Sequence, residues 1–300
     1  MDIGSNGIRF LWGRPGHVQG KRIALRLGRD SFRQGKISKE LACRLKETVF
    51  KFSQLVEAQG IGLYRVIGTS ALREALNGPE VVRLIKKKTK INIEIIDAEE
   101  EARLIQMAVS QCVSLKNKKS LLVDIGGGSA EYVLLNNEKQ VRFFTKALGT
   151  VRVLEDIQKA GKEVTRKNIE ELVDSRLNAL KDCKSFFDVS ERSKVFVATG
   201  GNPRALGRLA EHLELEPDSS SVSLESLLAL VEVLSSLSYE QRMKKLGLGT
   251  DRADVVLPAA IVLLRSMEHL NFEKLRLPSA GLKDGLILDM FRQRRRGRSI

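Results

Sequence analysis

Cysteine is scarce in this 300-residue chain: Cys43, Cys112 and Cys183 are the whole set, and no two of them form a CxxC pair. An odd, scattered set argues against a disulfide framework and against a cysteine-bound zinc site. Histidine is as sparse, with His17, His212 and His269 far apart. All six read as isolated surface or packing residues. No apolar run approaches the about 20 residues that a membrane-spanning helix needs. The N-terminus, MDIGSNGIRF, carries an acid at its second position and lacks the basic-then-apolar pattern of a secretory signal. The chain therefore reads as cytoplasmic. Acidic residues are in deficit, 37 against 51 Lys and Arg, for a net charge of +14. That excess favours anionic partners such as nucleic acid, membrane surface, nucleotides or polyphosphate, without naming one. Lys86, Lys87 and Lys88 close a predicted helix, and Arg292, Arg294, Arg295, Arg296 and Arg298 form a basic tail. Such runs are usually solvated, and cations at helix C-termini are favoured in any case. The tail has no accompanying aromatic platform, which argues against nucleic acid.

What is present is a length sufficient for about two domains and an alternation of strand and helix patterns. Residues 21–27 read as a strand. Ser38 opens a long helix with Leu41, Leu45, Val49, Phe52 and Val56 at helical spacing. Residues 63–67 and 91–96 read as strands, 70–76 as a helix, and Pro79 as the first turn of another. Residues 99–113 read as a helix. The basic linker at 116–119 ends this half, and the pattern restarts with strands at 121–124, 132–135, 141–147, 195–198 and 274–277. These readings divide the chain into residues 1–117 and 118–300.

Four segments carry chemistry. Asp124-Ile125-Gly126-Gly127-Gly128-Ser129 follows an apolar strand. Successive glycines let backbone N–H groups converge on a phosphate, Ser129 adds a hydroxyl, and Asp124 and Glu131 are placed to face a metal. A glycine-rich hairpin with no ligand explains the same residues equally well. Asp2-Ile3-Gly4-Ser5-Asn6 echoes this loop, with Asp2 as a second metal-facing acid and Ser5 and Asn6 as donors. Alone it reads as an ordinary turn. Thr199-Gly200-Gly201 leads from a strand into a helix whose N-terminus suits an anion, or is plain punctuation. Glu99-Glu100-Glu101 opens a helix, where acids are favoured by the dipole; one of them is a candidate base for phosphate hydrolysis. Arg73 is either a bidentate phosphate clamp or a surface arginine.

Together these segments resemble the exopolyphosphatase/guanosine pentaphosphate phosphohydrolase family of the actin–sugar kinase–Hsp70 superfamily. The resemblance rests on DIGSNGIR from Asp2, GTSALREA from Gly68, IIDAEEEARL from Ile95, VDIGGGSAE from Val123, TGGNPR from Thr199, RADVVLP from Arg252 and SAGLKDG from Ser279. It implies an α/β fold of two ribonuclease-H-like (actin-like ATPase) domains with mixed sheets flanked by helices and an active site in the cleft between them. It implies hydrolysis of the terminal phosphate of polyphosphate or of the 5′-phosphate of pppGpp by water, with Mg²⁺ or another divalent cation. By motif, Glu101 corresponds to the general base and Asp124, Glu131 and Asp2 to metal-facing acids. Ser5, Asn6, Arg73, Gly126, Gly127, Gly128, Ser129, Gly200 and Gly201 correspond to phosphate ligands. A polyphosphate/nucleotide phosphotransferase and a non-catalytic polyphosphate- or alarmone-binding regulator are the alternatives. A homodimer is also implied; membrane and nucleic-acid partners are not.

The chain departs from the family pattern at Gly7, where a serine is common, at Ala130, where threonine is frequent, and at Asn202-Pro203. Each removes a hydroxyl or alters a turn. The family carries apolar residues ahead of the first Asp, so the expected first strand is longer than residues 1–3 supply. Longer relatives add a helical domain; without it, processive action on long chains is not expected.

Overall fold

The computed structural model describes residues 1–14 and 17–295, which build two mixed sheets. The first comprises β1 (Asp2–Gly4), β2 (Gly7–Arg14), β3 (His17–Ile23), β4 (Ile67–Gly68) and β5 (Glu94–Ile95), in the order β3-β2-β1-β4-β5. The second comprises β6 (Lys119–Ile125), β7 (Ala130–Asn136), β8 (Lys139–Lys146), β9 (Lys194–Thr199), β10 (Ser221–Ser223) and β11 (Lys274–Arg276), in the order β10-β11-β9-β6-β7-β8. In each, an antiparallel three-strand meander is followed by strands parallel to its first member: β4 beside β1, and β9 beside β6. The shared 3-2-1-4-5 order is ribonuclease-H-like, with β10 added at one edge. The echo between residues 2–6 and 124–129 is thus the same hairpin turn used twice.

Side-chain alternation decides what covers the second sheet. Leu121, Val123 and Ile125 of β6 and Tyr132 and Leu134 of β7 enter a core closed by helices Thr150–Lys159, Arg166–Leu177, Leu224–Ser236 and Val256–Leu270. Leu122, Val133, Leu135, Val195 and Val197 point the other way, against Ala102, Ile105 and Val109 of helix Ala98–Val109. That helix also meets the first sheet's Ile67 and the C-terminal helix Leu282–Arg295 through Leu104, Met107 and Leu286. Buried Asp289 holds the C-terminal helix in place, accepting from Arg65 at 3.0 Å and Arg103 at 2.9 Å. No helix among the described residues is long and apolar enough to cross a membrane.

The long helix begins as expected, with the Ser38 hydroxyl accepting from the Leu41 N–H and Leu45, Val49 and Phe52 buried along Lys39–Ala58. Several boundaries differ. The strand expected at 21–27 ends at Ile23, and Leu27 instead opens helix Leu27–Gln34, closed by Gly35 at a φ of 71°. The strands expected at 63–67 and 91–96 shrink to β4 and β5, because β1 offers β4 only Asp2 and Ile3 as ladder partners. The helix expected over 99–113 stops at Val109. Arg292, Arg294 and Arg295 form the last turn of the C-terminal helix; Arg296 and Arg298 of the expected basic tail lie outside the described residues.

Gly285 marks the tightest helix crossing: a Cβ there would lie 1.9 Å from the Leu104 carbonyl oxygen. Alanine is normally the better helix former by about 1 kcal/mol, yet overpacking typically costs about 1–3 kcal/mol. Gly285→Ala is therefore expected to lower the melting temperature by several degrees; a rise on calorimetry would show that the crossing is looser than described.

Candidate active site

Period-2 alternation places one polar row on the sheet face that carries helix Ala98–Val109. Asp124 of β6 pairs in register with Glu131 of β7 on one side and Thr199 of β9 on the other, and Glu131 pairs with Thr145 of β8. Thr199, Asp124, Glu131 and Thr145 therefore form one rung, a residue pair beyond the apolar rung of Val197, Leu122, Val133 and Phe143. The helix starts at the same level. The Asp97 side chain caps it by accepting from the Glu100 N–H at 2.7 Å. Of the three glutamates, Glu99 is exposed, Glu100 binds Arg103 at 2.6 Å, and Glu101 is buried on the stripe of Ile105. Helix periodicity thus sends only Glu101 over the rung.

Carboxylate oxygens of Glu101, Asp124 and Glu131 all lie within 4.8 Å of one another. Thr199 donates to Asp124, and Ser129 and Thr145 donate to Glu131, the latter at 3.4 Å. Arg73 donates to Glu101 at 3.2 Å and to the Ile96 carbonyl at 2.9 Å. Burial raises Glu101 well above its ordinary value, the Glu131 charge adds to this, and Arg73 opposes it. Burial also raises Asp124. Glu131 is pushed up to about 7, first by burial and then by Asp124. Clustered carboxylates with raised affinity for protons are the donor set that a hard divalent cation requires.

Glu101 and Asp124 of the cluster reach an open cleft lined by Asp2, Ser5, Asn6, Glu101, Asp124, Gly126, Gly127, Ser129, Gly200 and Gly201. Sequence reasoning named all of these. The Ser5 hydroxyl lies 2.7 Å from that of Ser70, and Asn6 donates to the Asp251 carbonyl at 2.9 Å. Gly200 takes a φ of 113°, and a Cβ there would lie 2.8 Å from the Ile125 carbonyl oxygen. Three named residues stand behind the wall. Glu131 is 1% exposed, Gly128 is packed against Phe32 and Ser70, and Arg73 backs Glu101 instead of facing the cavity. Asp2 faces the cleft but accepts from Arg9 at 3.1 Å and stands outside the three-carboxylate cluster.

Residues 14–294 match the profile of the Ppx/GppA phosphatase family. The chain belongs to that family. It is 27% identical to exopolyphosphatase 1 of Mycobacterium leprae, over 96% of this chain and 87% of that one. It is 26% identical to the guanosine-5′-triphosphate,3′-diphosphate pyrophosphatase of Photobacterium profundum, over 98% of this chain and 59% of that one. Among solved structures, an exopolyphosphatase from Cytophaga hutchinsonii shares the fold with a TM-score of 0.84 at 22% identity, covering 99% and 97% of the two chains. The Ppx/GppA family member of Aquifex aeolicus does so with a TM-score of 0.76 at 20% identity, covering 98% and 96%.

In this Ppx/GppA chain the cleft also holds Arg9, Arg22, Arg204, Arg252 and Lys283. Sequence reasoning gave none of them a role, although all but Arg22 stand inside motifs that carried the resemblance. Arg22 pairs with Asp251. Arg204 and Arg252 have no carboxylate partner among the described residues; they donate to the carbonyls of Ser279, at 3.3 Å, and Gly201. Burial lowers both from the usual arginine range, Arg204 further through Arg9, and Arg252 to about 10 with Arg22 contributing. The departures at Gly7 and Ala130 have structural reasons. A Cβ at Gly7 would lie 3.2 Å from the Arg22 guanidinium and 2.9 Å from the Ile23 carbonyl oxygen, so glycine lets Arg22 reach the cleft. Ala130 points into the apolar core, away from the carboxylate rung. Asn202 is buried and donates to Thr150 at 3.3 Å.

Glu131 sets a sign for stability against pH. Its carboxyl moves from 4.5 in the open chain to about 7 in the fold. An acid raised by folding destabilises the fold when ionised: the cost is absent below about 4.5, grows towards 7 and is complete above. In the presence of a chelator, Glu131→Gln is expected to melt several degrees above wild type at pH 8, with the gain vanishing near pH 4.5. An equal melting temperature at pH 8 would show that the ionised group is not a burden to the fold.

Proposed function

We propose that this protein is a phosphoanhydride hydrolase that removes the terminal phosphate of inorganic polyphosphate or the 5′-phosphate of pppGpp. The observation that carries the reading is one cleft in which Glu101 and Asp124, backed by Glu131, meet glycine turns and two arginines that lack carboxylate ion pairs among the described residues. An anionic phosphate chain matches the arginines. A divalent cation, Mg²⁺ by its hard-oxygen preference, fits the carboxylates. We divide the chain at residue 117, so that each domain contributes one hairpin turn to the cleft, and the relatives named above support both the activity and the substrate class.

Asp124 and Glu131 would hold the cation, with Glu101 left to face water. A bound cation would neutralise charge on the phosphoryl oxygens. The N–H of Gly127 has no acceptor among the described residues and, with Ser5, Asn6 and the Gly200–Gly201 turn, suits the terminal phosphate. Arg204 and Arg252 suit the phosphates that follow. Glu101 takes a proton from water as the water oxygen bonds phosphorus. The bridging P–O bond then breaks towards the shortened chain, which leaves with the electron pair. A carboxyl raised by burial is a stronger base than one in water, which suits this role. Arg73 fixes its orientation.

The test is Mg²⁺-dependent phosphate release from medium-chain polyphosphate and from pppGpp, for wild type and Glu101→Ala. Loss of a positioned base is expected to lower kcat about 10²–10⁴-fold. Release mainly from pppGpp assigns the alarmone as substrate. Binding without release from either compound overturns the hydrolase reading, and phosphate appearing on added ADP instead of in solution replaces it with a transferase. Arg204→Ala is expected to raise KM for polyphosphate with little effect on kcat, and the increase should shrink as salt is added. A KM that is unchanged at low salt would remove Arg204 from the substrate path.

A further inference from the structure

The glycine turn at 126–128 is held from behind by the start of helix Thr150–Lys159. The N–H of Thr150 donates to the Gly126 carbonyl at 3.0 Å, and those of Val151 and Arg152 donate to the Gly127 carbonyl at 2.9 Å. The Gly128 carbonyl is taken by a side chain: Arg152 Nε donates to it at 2.8 Å. The same guanidinium pairs with Glu74 and lies over the Phe32 ring, 4.1 Å from its centroid. Phe32 in turn packs against Gly128, where a Cβ would lie 2.3 Å from the ring. Glu74 ends helix Ser70–Glu74, which also carries Arg73, the partner of Glu101, and Ser70, the partner of Ser5. One planar group, with side-chain exposure of 16%, thus joins the glycine turn of the second sheet to the helix after β4 of the first sheet, whose Arg73 orients Glu101.

We propose that Arg152 is a positioning residue for the reaction: it sets the spacing between the phosphate-holding turn and the Ser70–Glu74 helix, and so between the reacting phosphate and Glu101. This rests on the hydrolase reading above. Arg152 does not line the cleft. It acts through the Gly128 carbonyl and through Glu74. Three simultaneous contacts need a flat, forked cation. Lysine offers a point charge that cannot donate along two fixed directions while stacking on a ring.

The test compares steady-state phosphate release and melting of wild type, Arg152→Ala, Arg152→Lys and Glu74→Ala. Misplacement of reacting groups by about an ångström lowers rates by up to about 10²-fold. Arg152→Ala is therefore expected to lower kcat about 10–100-fold per folded molecule, with KM changed less than about threefold, the split that marks a loss confined to the transition state. Arg152→Lys is expected not to restore kcat, and Glu74→Ala to show a smaller fall in the same direction. The proposal is overturned if Arg152→Ala keeps kcat within about twofold of wild type, if lysine restores it, or if the loss matches the unfolded fraction. Where Arg152→Ala does not fold, unchanged kcat in Glu74→Ala overturns it. Wild type that releases no phosphate overturns the hydrolase reading and this inference together, whereas an active wild type isolates the role of Arg152.

Discussion

Three carboxylates within 4.8 Å of one another are the constraint around which the molecule is arranged. At an effective dielectric near 20, two ionised carboxylates at such a distance repel by about 3–4 kcal/mol, and burial adds to the cost. A fold with nothing to gain would separate them. Here each is instead tied in place: Asp124 by Thr199, Glu131 by Ser129 and Thr145, Glu101 by Arg73. Raised proton affinities in Glu101, Asp124 and Glu131 are the visible result. The stability that tolerates this comes from the apolar side of the same strands, where Leu121, Val123 and Tyr132 anchor the helix-covered core. One face of the second sheet supports the fold and the other carries the chemistry.

The division follows from backbone geometry. Alternation along β6 sends Leu122 and Asp124 to one face and Leu121 and Val123 to the other, and the ladder register repeats that choice in β7 and β9. A one-residue slip in β7 would bury Glu131 in the apolar core, so the core itself enforces the register. The helix that brings Glu101 is fixed equally firmly. Its Ile105 and Val109 fill the apolar half of the chemical face, and Gly285 lets the C-terminal helix close over its back.

Much of this was legible in the sequence because glycine turns and capped helix starts are local. Asp124 with its glycines, the Ser38 cap and the strand–turn–helix at Gly200 depend on a few adjacent residues. The repeat of Asp-Ile-Gly foretold two equivalent hairpins. What was not legible depends on distant partners. Three consecutive glutamates carry no mark of which is buried until helix phase is set by packing. The contacts of Arg73 with the Ile96 carbonyl and Glu101 join segments more than 20 residues apart and leave no local mark. The ion pair of Asp2 with Arg9 follows from the hairpin register, which the sequence does not state. Strands around β4 and β5 were overdrawn because buried Val66, Ile91 and Ile93 signal apolar surroundings, while the ladder depends on how far β1 reaches.

The net charge of +14 drew attention to the basic C-terminus, yet the cations that matter to the cleft are scattered through the chain. Arg204 and Arg252 come from segments about 50 residues apart and converge where burial depresses both. Burial disfavours the charge of these half-buried cations, as it does that of the carboxylate cluster. The two sets offset each other only in part: Arg9 and Arg22 form ion pairs with Asp2 and Asp251, Arg73 pairs with Glu101, and Arg9 and Arg204 act on Asp124 through space without outweighing its burial. On the proposed reading, a polyphosphate terminus with a divalent cation would answer both, with oxygens for the arginines and a metal for the acids. Buried acids and buried arginines that face one cleft are thus complementary to a ligand that carries both signs.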